Sequence, residues 1–232
     1  MVRRVPQDSR AHEKLVAARA AATLVPDDAV VALGSGSTVA LIARALGDRG
    51  SRARFAAASP ATVAAATTAG LRLVDDTTIE RFDLALDGAD QVAPDGWTIK
   101  GGGGAHTRER LLIAAAERFV CVVDGSKLVA RLTRAVPLEL QPFALASTLA
   151  RLPGAVVRDA PPTADGGVLA DLDASPIVAD AAAPLGASLE NPAALAARLD
   201  ATPGVVDHGL FGPDVVRELL VARGDEVEHR RR

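Results

Sequence analysis

The chain has 232 residues, 49% hydrophobic and 24% charged, with a formal net charge of −3. That length allows one large domain or a medium one plus a small one, and the apolar fraction excludes a chain disordered along its length. A single cysteine, Cys121, excludes a disulfide framework and a Cys-cluster zinc site. The near-neutral charge excludes a global basic field that would attract nucleic acid.

Residues 9–24 (SRAHEKLVAARAAATL) have the spacing of an amphipathic helix that stops before Pro26. AVVALG at 29–34 reads as a buried strand. GSGST at 34–38 is a glycine-rich turn, and VALIARAL at 39–46 has helical spacing. Strand, turn and helix in that order begin a βαβ unit. The pattern repeats with a strand at 54–59, a helix at 60–69 closed by Gly70, and strands at 71–76 and 83–90. A glycine run within 97–105 leads to a helix at 106–119, and VCVVDGS at 120–126 is another buried strand with a turn. Alternation of this kind predicts a largely parallel, Rossmann-like α/β sheet covered by helices on both faces.

Past Lys127 the texture changes. Strands are expected at 137–143, 156–160 and 168–174, a helix at 190–204, and a final strand pair around the Gly-Asp turn within 217–229. The organisation expected is an α/β domain of residues 1–131 and 207–232 with an inserted, smaller α+β domain at 132–206. No apolar run reaches the roughly 18–20 residues that cross a bilayer. The N-terminus is polar and lacks the apolar core of a secretory signal, so a cytoplasmic protein is expected.

Four segments carry the chemistry. The first is the GSGST turn of Gly34, Ser35, Gly36, Ser37 and Thr38 between a strand and a helix. A helix N-terminus exposes N–H groups and partial positive charge, which suits a phosphate. The bland reading is a tight turn with a serine N-cap. No P-loop lysine follows, and Val39 stands where a dinucleotide fingerprint needs its third glycine. The second is DGAD, where Asp87 and Asp90 flank Gly88 and Ala89 at a strand end. Paired carboxylates can divide acid and base work. They could equally form an Asx turn or hold a hard cation.

The third is KGGGG, Lys100 with Gly101, Gly102, Gly103 and Gly104. Its N–H groups could form an anion nest beside the lysine charge, against the reading of a flexible surface loop. The fourth is Glu109 at a helix start, a place where an acidic residue is favourable anyway. Lys127 in DGSK could be a merely solvated turn lysine. The 26 basic residues comprise 23 Arg and only Lys14, Lys100 and Lys127, so each lysine marks a place that wants a compact point charge. The inventory has no metal cluster and no redox cofactor motif, and it suits acid–base chemistry on an anionic, polyhydroxylated ligand.

ALGSGSTVA, LALDGADQV, IKGGGGAHTRERL, FVCVVDGSKLV and TPGVVDHGLFG stand in the order and spacing of the type A ribose-5-phosphate isomerases, and the chain resembles that family over nearly its whole length. The resemblance implies interconversion of ribose 5-phosphate and ribulose 5-phosphate in the pentose phosphate pathway, without cofactor or metal. It maps the proton-carrying glutamate onto Glu109 and substrate contacts onto Ser35–Thr38, Asp87–Asp90, Lys100–Gly103 and Lys127. One aspartate, Asp87 in first place, would open the furanose ring. Glu109 would move the proton between carbons 2 and 1, and Lys100 would stabilise the enediolate oxygen. It also implies a homo-oligomer, a dimer ahead of a tetramer, with a pentose phosphate as ligand and neither nucleic acid nor membrane as partner. Gln91 stands where the family often has Glu, and Ser35 where it has Thr. The competing expectations are a sugar-phosphate deaminase of related fold and a non-catalytic sugar-phosphate-sensing module.

Overall fold

A computed structural model describes residues 7–174 and 188–232, and by packing the chain divides into two units. The larger comprises residues 1–89, 108–128 and 214–232. The smaller comprises 90–107 and 129–213.

In the larger unit the chain runs α1 (Gln7–Thr23), β1 (Val30–Leu33), α2 (Gly36–Asp48), β2 (Arg54–Ala57), α3 (Pro60–Thr68), β3 (Arg72–Leu73) and β4 (Leu84–Asp87). It returns with β7 (Phe119–Asp124), β13 (Glu218–Arg223) and β14 (Glu226–Arg231). These strands form one seven-stranded sheet in the order β14-β13-β7-β4-β1-β2-β3. All neighbours are parallel except the β13–β14 hairpin, as the βαβ spacing predicted. Strand order reverses between β1 and β4. Loops leaving the carboxyl ends of those two strands therefore flank a switch point, where sheets of this class bind ligands. The register aligns Leu33 with Leu86 and Asp87 with Cys121, so β1, β4 and β7 end at one sheet edge.

Alanine explains the close packing of this unit. Ala17, Ala18, Ala21 and Ala22 of α1 share one buried face, and Val39, Ile42, Ala43 and Leu46 of α2 share another. They join Val31, Leu33, Phe55, Leu84, Leu86, Val120 and Val122 in a single core. Ser59 caps α3 by accepting from the Thr62 N–H at 3.1 Å, with Pro60 in the first turn.

The smaller unit holds β5 (Gln91–Val92), β6 (Thr98–Ile99), β8 (Val136–Leu140), α5 (Leu145–Leu149), β9 (Ala155–Val157), β10 (Val168–Leu172), α6 (Pro192–Asp200), β11 (Val205–His208) and β12 (Leu210–Phe211). Its sheets run β11-β8-β10-β9 and β12-β6-β5, every pairing antiparallel. β8 is buried along its whole length, which removes the alternation that normally marks a half-exposed strand. Leu138, Leu140, Leu172, Leu195, Leu199 and Leu210 form its core.

Several boundaries depart from expectation, and one helix shows why. The helix read at 106–119 is α4, His106–Ala114, and stops five residues early. Phe82 donates to the Ala115 carbonyl at 2.9 Å and accepts from the Glu117 N–H at 2.8 Å, so a bridge to Phe82 replaces the last helical turn.

Candidate active site

In the larger unit, β1 ends at Leu33 and the chain turns through Gly34, Ser35 and Gly36 into α2. Gly36 has φ +84°, a left-handed backbone that glycine adopts at little cost. Ser35 occupies the N-cap position in an extended conformation, yet its side chain caps nothing. Instead its hydroxyl donates to Glu109 Oε1 at 2.5 Å. The turn is therefore not a plain serine-capped helix start, since its hydroxyl is committed to a buried carboxylate on α4. Glu109 is 3% exposed. Asp87, 1% exposed at the end of β4, accepts from the Ser35 N–H at 3.1 Å and from the Gly88 N–H at 2.7 Å. A Cβ on Gly34 would overlap the Asp87 carboxylate, which is why glycine stands there. Thr62 of α3 holds the turn from behind by donating to the Gly34 carbonyl at 2.9 Å.

Two lysines stand on the same unit. Lys127 closes a single 3-10 turn, Gly125–Lys127, capped by Asp124, which accepts from the Ser126 N–H at 2.9 Å. Lys14 of α1 donates to Ser37 Oγ at 3.0 Å, bringing an ammonium to the glycine-rich turn.

In the smaller unit the β5–β6 hairpin places Asp90 and Lys100 at its two open ends, with the Asp90 N–H bonded to the Ile99 carbonyl at 2.7 Å. Lys100 is 2% exposed, its N–H bonds to the Gly209 carbonyl, and its ammonium lies 5.5 Å from the centroid of the Phe211 ring. Asp90 Oδ2 accepts from the Gly102 N–H at 2.9 Å. The glycine run is packed rather than a flexible connector: Cβ atoms at Gly101 and Gly102 would press on the His106 ring and the Asp90 carboxylate. Gln91, the departure after DGAD, is a structural tie. Its carbonyl accepts from the Thr133 and Arg134 N–H groups at 2.8 and 3.0 Å, and its amide donates to Thr133 Oγ1 at 2.9 Å.

The sequence profile of the family described as Ribose 5-phosphate isomerase A (phosphoriboisomerase A) matches residues 54–226. The chain belongs to the ribose 5-phosphate isomerase A family. Ribose-5-phosphate isomerase A of Sphingopyxis alaskensis is 38% identical over 228 residues, covering 95% of this chain and 96% of its own. That of Halobacterium salinarum is 42% identical over 211 residues, covering 88% and 87%. Among solved structures, ribose 5-phosphate isomerase A of Methanocaldococcus jannaschii superposes with a TM-score of 0.85 at 29% identity, covering 97% of this chain and all of its own. A D-ribose-5-phosphate isomerase in complex with phospho-erythronic acid superposes at 0.83 and 29% identity, covering 95% and 98%.

Within this family member, Ser35, Gly36, Ser37, Thr38, Asp87, Gly88, Ala89, Glu109 and Lys127 belong to the larger unit. Asp90, Lys100, Gly101, Gly102 and Gly103 belong to the smaller. Lys14 was not among the residues the motifs singled out. Its signal was compositional: it is the third lysine of a chain that otherwise uses arginine. Among the described residues no group of three or more His, Cys, Asp or Glu could hold a metal ion.

Proposed function

We propose that the protein interconverts D-ribose 5-phosphate and D-ribulose 5-phosphate as an aldose–ketose isomerase of the pentose phosphate pathway. The reading rests above all on the buried Glu109 carboxylate held by the hydroxyl of the glycine-rich turn, in a chain whose family is settled by its sequence. A proton alpha to a carbonyl is weakly acidic, so the base must be fixed in position and the developing oxyanion must be stabilised. The Ser35 bond fixes Glu109 for transfer between carbons 2 and 1. Asp87, itself fixed by two N–H groups, serves the ring oxygen of the furanose. Lys100, a buried point charge, and the N–H groups of its glycine loop serve the enediolate oxygen. The phosphate is received at the start of α2 by Ser37, Thr38 and the Lys14 ammonium, with Lys127 as a further cation.

Among the described residues no helix is long and apolar enough to cross a membrane, which agrees with a cytoplasmic enzyme. A homodimer is the assembly we propose, in keeping with the family resemblance. The deciding assay is conversion of ribose 5-phosphate in buffer containing a chelator. Turnover without added metal or cofactor is expected. Release of ammonia from an amino-sugar phosphate, or binding without turnover, would replace this reading with one of the two competing ones.

A further inference from the structure

The KGGGG loop is gripped from the side opposite Asp90 by a residue that none of its motifs contains. Arg158 follows β9 directly, and its N–H continues the ladder by bonding to the Leu169 carbonyl of β10 at 2.9 Å. Its guanidinium makes a two-pronged ion pair with Asp171 of β10, Nε to Oδ2 at 2.8 Å and Nη2 to Oδ1 at 2.6 Å. The two side chains are diagonal neighbours on one face of the strand pair. The fork leaves Nη1, which donates to the carbonyls of Gly101 at 3.3 Å and Gly102 at 3.2 Å.

The consequence follows from the planarity of the peptide unit. The Gly101 carbonyl and the Gly102 N–H belong to one trans peptide and point in opposite directions. Drawing that carbonyl toward Arg158 therefore aims the Gly102 N–H away from it, and there it meets Asp90 Oδ2 at 2.9 Å. The second bond fixes the next peptide plane, which carries the Gly103 N–H. Glycine loses more conformational freedom on being fixed than any other residue, so an external hold is what gives the loop one geometry. The same strand pair supplies a second contact, because a Cβ on Gly104 would run into Leu169.

The geometry points to Arg158, locked by Asp171, as a positioning residue that sets the peptide planes of the glycine loop and through them the Asp90 carboxylate. Arginine is required chemically. A lysine ammonium could not keep a two-pronged pair with Asp171 and still serve two carbonyls. For its kinetic consequence the inference rests on the isomerase reading above.

The test uses the full chain with Arg158→Ala and Arg158→Lys and two readouts. The first is amide hydrogen exchange at Gly102 and Gly103, which needs no substrate. Exchange in Arg158→Ala is expected to accelerate by about 10-fold or more, the effect of losing a charge-assisted hold. The second is steady-state kinetics with ribose 5-phosphate. There kcat is expected to fall about 10- to 100-fold, as for a small misplacement of a reacting group, while KM changes little because Arg158 bonds to none of the residues assigned to the phosphate. Millimolar guanidinium ion is expected to restore part of the kcat of Arg158→Ala. Unchanged exchange at Gly102, or unchanged kcat, in a folded variant overturns the assignment. Should Arg158→Ala not fold, Arg158→Lys decides by the same two readouts. If the wild-type chain fails to turn over ribose 5-phosphate, the isomerase reading falls, and the exchange measurement still decides whether Arg158 holds the loop.

Discussion

Each unit carries one glycine-rich loop, and the two are held by different means. The turn through Gly34, Ser35 and Gly36 is fixed by what lies beside it in the parallel sheet. Asp87 at the end of the neighbouring strand accepts its N–H, and Thr62 at the start of the next helix donates to its carbonyl. The Lys100–Gly104 run leaves a two-residue strand of an antiparallel ribbon whose Asp90 accepts from the Gly102 N–H. Its Gly101 and Gly102 carbonyls are held from outside that ribbon by Arg158, 56 and 57 residues further along the chain. A strand–turn–helix unit carries its own geometry, whereas a free glycine run borrows geometry from whatever packs against it.

The largest effect separates chemistry from scaffold. Glu109→Gln keeps the shape that accepts from Ser35 and removes the base. Turnover of ribose 5-phosphate is expected to fall by about 10²- to 10⁴-fold, the usual worth of a positioned acid–base group. Ribose 5-phosphate should still bind when titrated calorimetrically. Near-normal turnover would remove Glu109 from the reaction.

The self-contained character of the first loop can be broken at two glycines with opposite signatures. Gly34→Ala places a methyl group on the Asp87 carboxylate and must displace it. Its kcat should therefore drop by roughly 10²-fold, with thermal stability less affected. Gly36→Ala meets nothing within 4 Å but is forced to φ +84°. It should cost about 1–2 kcal/mol of stability in denaturant unfolding and leave kcat closer to normal. Equal kinetic loss in both variants would mean that the turn is not fixed through Asp87.

The same contrast explains what the sequence made legible. The larger unit's largely parallel sheet, the turns that carry Ser35 and Asp87, and the helix start that carries Glu109 follow from local signals: apolar strands, glycine turns and helical spacing, repeated in order. Arg158 has no such signal. It is one of 23 arginines, and only the antiparallel register of β9 on β10 places it beside Asp171 and the loop. α5 was missed for a similar reason. Its start at Ala144 is exposed, has φ 55° and lacks the capping side chain that marks a helix start in a sequence. The hydrogen bond that Ser35 donates to Glu109 in place of a helix cap was also invisible, since a serine in that position reads first as a cap.

Lys14 sharpens the comparison further, because it reaches the first loop from α1, outside the strand–turn–helix unit. Its helix is anchored by the preceding residue. Glu13, 6% exposed, accepts from the N–H groups of Gly125 at 3.3 Å and Gly224 at 3.2 Å, tying α1 to the turn that carries Lys127. Lys14→Met should raise KM for ribose 5-phosphate by about 10-fold, as expected for losing one charge-assisted contact to a phosphate, with kcat nearly kept. A fall in kcat at constant KM would place the ammonium at the reacting carbons instead.

The smallest effect concerns a part of the larger unit that neither loop includes. Glu218, the first residue of β13, takes both prongs of Arg118 at 2.7 and 2.8 Å, with His229 at 2.8 Å and Arg231 at 3.3 Å. The Arg118 guanidinium, helped by His229 and Arg231, holds this carboxyl down at about 2 from an ordinary 4.5. A carboxyl lowered in the folded state binds its proton more readily when unfolded. Its contribution to stability is therefore complete above pH 4.5 and disappears as pH falls toward 2. After solvent screening this amounts to about 1–2 kcal/mol. Denaturant unfolding of the wild type should show the larger part of that loss between pH 7 and pH 3. In Glu218→Gln the stability at pH 7 should already be lower and the fall toward pH 3 correspondingly shallower, while kcat at pH 7 is unchanged because Glu218 touches none of the residues assigned to the reaction. An equally steep fall in the variant would assign the acid sensitivity of this unit to other carboxylates.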